Sequence, residues 1–269
     1  MADYRIFYRT EKSKELDHEM NQDRMLFAEN SLMNDEKLKI MLVADGMGGL
    51  QNGEKASYHG TEGFMRDLWE SLLKIYMENN REGFSMTHHI EQIREIAKQA
   101  VLEANREVCK HAEAFEETGT TLSAVLILGT CGVIVNVGDS PVYYYSSREG
   151  ELNLVSTLQT KAEQDVQRGR YPRFSKEYYE NDHILYRCLG QRQELAKSDI
   201  CVSVLERLEK GDMILAGSDG AFGKMREPEI LEIIADEKEY TVLKNLFERA
   251  REDKDDDQTA ILYKVCGEV

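Results

Sequence analysis

LSAVLILGTCGVIVNVGDS, residues 122–140, decides how this chain is built. Its most apolar part, 122–138, is shorter than the roughly 18 residues that a membrane-spanning helix needs, and Gly129-Thr130-Cys131-Gly132 splits it. Two β-type runs, LSAVLIL and VIVNV, flank that break, so the stretch reads as a hairpin of antiparallel strands. A further strand signal follows at 141–146.

The same signal recurs on both sides. Upstream lie 4–9, 24–28 and 38–44 (LKIMLVA); downstream lie 200–205, 213–216 and 259–265 (TAILYKV). Helical periodicity appears from Glu54 through Phe64, Leu68, Leu72 and Ile75, and again in Ile90, Ile93, Ala97, Val101, Ala104 and Val108. Segments 227–235 and 240–250 also read as helices, and the acidic face of the first reads as solvated. Residues 159–182 are polar and weakly periodic, as in a surface flap with short helical pieces. Because strands mostly follow one another directly, antiparallel sheets are expected rather than βαβ units. Only 3 prolines and no Ser/Gly-rich run interrupt the 269 residues, so 1–269 reads as a single domain.

Composition narrows the function. Lys plus Arg is 34 and Asp plus Glu is 50, a formal charge of −16, which repels nucleic-acid backbones. An anionic substrate would need positive charge from elsewhere, and divalent cations can supply it. Cys109, Cys131, Cys188, Cys201 and Cys266 are odd in number and never form CxxC, which speaks against a disulfide framework or zinc knuckle and for a reducing compartment. MADYRIFYRTEK is polar from the start; a cytoplasmic chain with no membrane insertion is expected.

The chemistry sits where strands end. Asp45 follows LKIMLVA, Asp139 follows VIVNVG, Asp219 follows MILAGS, Asp256 precedes TAILYKV, and Asp23 precedes the run at 24–28. Asp-Gly after a strand is ordinary turn chemistry for any one of them. Five together point to a shared polar locus, since Asp is a poor strand former and costly in a core. A carboxylate set without histidine or thiolate partners selects hard cations, Mg²⁺ or Mn²⁺, and a pair of such ions suits hydrolysis at phosphorus.

NQD (21–23), VADGMGGLQNGEKAS (43–57), TGTT (118–121), VNVGDS (135–140), GDMILAGSDG (211–220) and DDQT (256–259) stand in the order seen in metal-dependent protein phosphatases. The chain thus resembles the type 2C or PPM family, and DGMGG looks like its bacterial branch. HILYRCLG (183–190) also resembles a family segment. The resemblance spans about 21–265.

It implies an α+β fold, a four-layer α-β-β-α sandwich of two antiparallel sheets face to face and flanked by helices. It also implies two Mn²⁺ or Mg²⁺ ions: Asp45 bridging them, Gly46 offering its carbonyl, Asp23, Asp219 and Asp256 completing the shell, and Asp139 joining Asp219 at a weaker third site. The implied reaction is hydrolysis of phosphoserine or phosphothreonine on phosphorylated proteins by a metal-activated water, opposite a cognate serine/threonine kinase. A catalytically weak relative that binds phosphoproteins is the alternative, and a hydrolase of small phosphoesters a third reading.

Two other readings fail. Cys188 lacks the CxxxxxR spacing of a cysteine phosphatase, and the alternating Asp253, Asp255 and Asp257 lack the Gly and Glu of a calcium loop.

Several positions depart from the family. His18 stands where an arginine would hold substrate phosphate, and an imidazole donates only once. Pro141 follows GDS in place of arginine, a change with local effect. Met47 takes the place of a histidine found in animal members. Asp257 replaces the frequent Asn after the last metal Asp and reads as a solvated acidic loop residue. Gln159-Thr160-Lys161 lacks the usual Asp-His. Met20, Met25, Met33 and Met41 read as packing residues, and Tyr143-Tyr144-Tyr145 alternates sides, part of it core.

Overall fold

The computed structural model describes residues 4–16, 18–31, 37–47, 52–79, 85–112, 118–191, 194–236 and 238–267. The hairpin read from the sequence is β6 (Leu122–Leu128) and β7 (Cys131–Val137), paired from Leu122↔Val137 to Leu128↔Cys131 around a turn at Gly129-Thr130. It forms the middle of one sheet. β3 (Lys37–Ala44) and β2 (Arg24–Ser31) extend that sheet on one side and β10 (Cys201–Leu205) on the other, in the order β10-β7-β6-β3-β2. The second sheet runs β1-β12-β11-β8-β9, with β1 Tyr4–Glu11, β8 Val142–Ser146, β9 Glu151–Leu154, β11 Met213–Gly217 and β12 Gln258–Val265. Every pairing among the described residues is antiparallel.

Strand alternation sorts the side chains into layers. From β3, Leu38, Ile40, Leu42 and Ala44 face two long helices, α1 (Gly53–Glu78) and α2 (Ile90–Ala112), whose Phe64, Leu68, Ile93, Ala97 and Val101 are fully buried against them. Each large apolar side chain so covered contributes about 1.5–3 kcal/mol. Met41 and Val43 point the other way, between the sheets, and meet Ile214, Ala216, Ile261 and Tyr263. The outer face of the second sheet, with Leu215 and Leu262, is closed by α5 (Glu227–Asp236) and α6 (Val242–Arg251) through Ile230, Leu246 and Phe247. The architecture is therefore α+β, with helices on both outer faces of two antiparallel sheets.

Segment 159–182 carries two short helices, α3 (Lys161–Gln167) and α4 (Lys176–Tyr179), capped by the hydroxyls of Thr160 and Ser175. It leaves and rejoins the body at one neck, where Thr160 bridges Leu185. In the tyrosine run, Tyr143 and Tyr145 pack toward α5 and α6 and Tyr144 between the sheets. Met25 and Met41 are packing residues, whereas Met20 is 50% exposed, because it lies in the loop before β2 rather than in the strand. Met33 and residues 48–51 of the glycine-rich loop lie outside the described residues. No helix among the described residues is long and apolar enough to cross a membrane.

Candidate functional site

Asp45 follows directly on β3, and its backbone is locked there. Its N–H donates to the Thr121 hydroxyl at 2.9 Å, and its carbonyl accepts from Thr121 N at 2.8 Å and the Thr120 hydroxyl at 2.9 Å. The next residue must be glycine, since an added Cβ at Gly46 would come within 2.5 Å of the Gln22 carbonyl and collide with that of Gly53. These contacts form where β4 (Gly46–Met47) pairs with β5 (Gly119–Thr120), joining the DGM and TGTT segments.

Asp139 leaves β7 through Gly138, whose φ of +102° suits glycine. The turn is held by Gln159: its Oε1 accepts from Gly138 N at 2.9 Å, while its Nε2 donates to the Asp199 carbonyl at 2.7 Å. The Thr121 hydroxyl also lies 2.6 Å from that of Ser140, linking the Asp45 and Asp139 turns. Asp219 opens a single 3₁₀ turn after β11, its carbonyl accepting from Phe222 N and Gly223 N. Asp23 sits just before β2, 3% exposed, and its Oδ2 accepts from the Ser218 hydroxyl at 2.8 Å. Asp256 precedes β12; its Oδ1 accepts from Asp257 N and its Oδ2 lies 2.5 Å from Lys254 Nζ.

Electrostatics shows that these acids share one environment. Burial, followed by the charges of Asp23, Asp219 and Asp139, pushes the Asp45 carboxyl well above its ordinary pKa. Burial and then Asp219 do the same to Asp139. Asp23 is pushed up to about 7, by burial foremost, with the Ser218 and Thr259 hydroxyls opposing and Asp257 and Asp219 adding to it. Asp256 is raised by burial and by Asp219 against the pull of Lys254. Lys254 answers in kind: burial disfavours its charge, but Asp219 and Asp256 hold the proton on.

A buried carboxylate oxygen without a partner is costly, and Asp23 Oδ1 is such an atom among the described residues. With its all-oxygen surroundings, that atom fits a hard divalent cation. No three acidic, histidine or cysteine side chains among the described residues enclose a common point.

Asp257 is not a solvated loop residue. It is 5% exposed, because the segment before β2 wraps over it: Ser13 N donates to its Oδ1 at 2.9 Å and Gln22 N to its Oδ2 at 2.7 Å. His18 Nε2 reaches both its oxygens, at 2.9 and 2.8 Å, so that nitrogen is committed to Asp257. Pro141 immediately precedes β8, and its carbonyl accepts from Gly217 N. Sequence reading missed Ser218, Lys254 and Gln159. Lys254 was legible as a cation inside an acidic run, and Ser218 as part of GSDG; Gln159 stood out only as part of a segment without the family's Asp-His, which says nothing of its hold on the Asp139 turn.

The family described as Protein phosphatase 2C matches residues 11–253. The serine/threonine phosphatase stp of Listeria innocua is 25% identical over 204 residues, 75% of this chain and 73% of that protein. Protein phosphatase PhpP of Streptococcus pneumoniae is 25% identical over 217 residues, 80% of this chain and 78% of that one. The S. agalactiae serine/threonine phosphatase structure superposes with a TM-score of 0.77 at 22% identity, covering 98% of this chain and 100% of that one. The catalytic domain of the phosphatase PstP, solved with two manganese ions, gives 0.72 at 22% identity, covering 98% of both chains. At such identities the two structures speak for the fold.

Proposed function

The chain belongs to the protein phosphatase 2C family, and from that premise we propose that it removes phosphate from phosphoserine and phosphothreonine in proteins by metal-dependent hydrolysis. It is a protein serine/threonine phosphatase, and the Listeria innocua relative carries that name. The observation that carries the metal reading is the buried, partnerless Asp23 Oδ1 amid carboxylates that raise one another's pKa.

In this reading Asp23, Asp45, Asp219 and Asp256, with the Gly46 carbonyl, would hold two Mn²⁺ or Mg²⁺ ions, and Asp139 with Asp219 would offer a weaker third site. When bound, such ions neutralise the phosphate, lower the pKa of a water and stabilise attacking and leaving oxygens. The protein's part is placement. Thr121 fixes the two turns that present Asp45 and Asp139, and Gln159 holds the second of them. Ser218 orients the Asp23 carboxyl so that its other oxygen faces inward. Lys254 balances the charge of Asp256. We place His18 as a positioning residue that steadies Asp257, and through its backbone Asp256, because its Nε2 is already engaged.

We read 1–269 as one phosphatase domain acting in the cytoplasm on phosphorylated proteins, opposite a serine/threonine kinase, without nucleic-acid partners at a charge of −16. The test is phosphate release from a phosphothreonine peptide and an aryl phosphate, with and without Mn²⁺, with Asp219→Ala as control. Mn²⁺-dependent release that the control lacks supports the reading.

One observation favours a second reading, a catalytically weak relative that binds phosphoproteins: no guanidinium occupies the His18 position. No release from either compound, with calorimetry still showing metal binding, would move the assignment there. Release restored by His18→Arg would then identify the missing group.

A further inference from the structure

A cavity of about 130 Å³ lies between the flap and the turn after β11, and Asp139 and Asp219 form part of its wall. Pro141, Leu158, Phe174, Tyr178, Phe222 and Met225 form its apolar wall, beside charged groups that include Asp182 and Glu227. The catalytic carboxylates and this apolar wall therefore share one opening.

Phe174 marks the cavity as more than a packing gap. Its φ is +64°, the left-handed region that a bulky side chain avoids, and no other non-glycine residue among those described adopts a positive φ. Its ring is held in place regardless. The Arg173 guanidinium sits 4.8 Å and that of Arg226 4.9 Å from its centroid, and the Tyr178 ring is 5.5 Å away. Arg173 is in turn anchored by Glu163 at 2.7 Å and Glu227 at 3.5 Å. A ring clamped on a strained backbone, yet only half-buried, is preorganised for an incoming group.

We propose that this cavity is a subsite for one apolar side chain of the phosphorylated segment, of leucine or phenylalanine type, within two residues of the phosphorylated one. The proposal rests on the phosphatase reading above. Size supports it, because an apolar cavity of about 150 Å³ accepts a benzene ring. Reach supports it as well: side chains two apart on an extended strand lie on one side, about 7 Å from each other, and Asp139 and Asp219 belong to both sites. Lys224, whose ammonium lies 5.3 Å over the Tyr179 ring, Lys254 and Arg173 stand in the lining among the acids Asp139, Asp182, Asp219 and Glu227.

The experiment compares phosphothreonine peptides that carry leucine or alanine at each position within two residues of the phosphate, with an aryl phosphate as the substrate that has no flanking residues. At one position the alanine peptide should lose about tenfold or more in kcat/KM. Leu158→Phe, which adds bulk to the cavity wall, should bring the leucine peptide down to the alanine one and leave aryl phosphate turnover unchanged. Phe174→Gly, which relieves the backbone and removes the ring, should erase the same preference, so a failure of either variant to fold leaves the other. Equal kcat/KM across the peptides, with the aryl phosphate still cleaved, overturns the subsite and leaves the phosphatase standing. If nothing is cleaved, fluorescently labelled peptides titrated into the metal-chelated protein decide the matter: a leucine preference supports the subsite, and equal affinities overturn it.

Discussion

Asp23 and Asp165 are both almost hidden, 3% and 2% exposed, yet they are opposites. Asp165, in the flap, is covered by the groups that neutralise it: Lys161 Nζ and Arg170 Nη1, each at 2.8 Å, hold its pKa below the ordinary value, the Lys161 hydrogen bond leading. The cover is thin and lies at the surface. Asp23 lies deep at the end of the sandwich, receives a hydroxyl instead of a cation, and is pushed up to about 7. Asp165 is thus neutralised by neighbours within the flap, whereas the Asp23 carboxyl is held by a hydroxyl among other acids. In a chain of formal charge −16 such a deficit is informative, because unpaired buried acids cost stability and persist where function requires them.

That contrast is open to direct attack. The largest effect should come from Asp219→Ala, which should cut Mn²⁺-dependent phosphate release by more than about a hundredfold, the upper end of what loss of a residue behind a metal ligand costs. Far-ultraviolet circular dichroism should stay unchanged, and retained turnover would refute the centre. Next, Mn²⁺ at a hundredfold excess over its Kd should stabilise the chain by about 2.7 kcal/mol, read as a rise in Tm that chelation reverses. Asp165→Asn should keep that rise and Asp23→Asn should lose most of it.

Without metal the same two substitutions should move Tm in opposite directions. Asp23→Asn relieves buried repulsion and should raise it by a few degrees, whereas Asp165→Asn breaks two ion pairs and should lower it. Equal signs in differential scanning calorimetry would dissolve the distinction drawn here. The smallest effect should belong to Arg170→Ala, a half-exposed partner worth about 0–1 kcal/mol. A thermal melt should barely register it while Lys161 remains.

The strands were legible because apolar runs such as LKIMLVA and VIVNV stop at Asp-Gly or Gly-Asp, a pattern in which burial and turn chemistry agree. β9 escaped notice because ELNL is an edge strand with Leu152 alone buried, and β4 and β5 because a two-residue pair has no period. Around the carboxylates, the chain showed the acids but not their settings. The reading of Asp257 as solvated failed since its partners, Ser13, His18 and Gln22, stand about 240 positions away. No local pattern reports contacts at that separation. The flap cavity was invisible for the same reason, being made where 158–183 meets 219–227.

The neck of the flap carries one more consequence. Lys161 N donates to the Ile184 carbonyl at 2.7 Å and Tyr186 N to that of Gln159 at 3.0 Å, so the segment leaves and returns through a two-rung clasp. A loop whose ends meet this closely can lengthen at small entropic cost, and Asp165 finds both its cations, Lys161 and Arg170, within the loop. Residues 161–184 can therefore change in length without breaking the clasp that closes them.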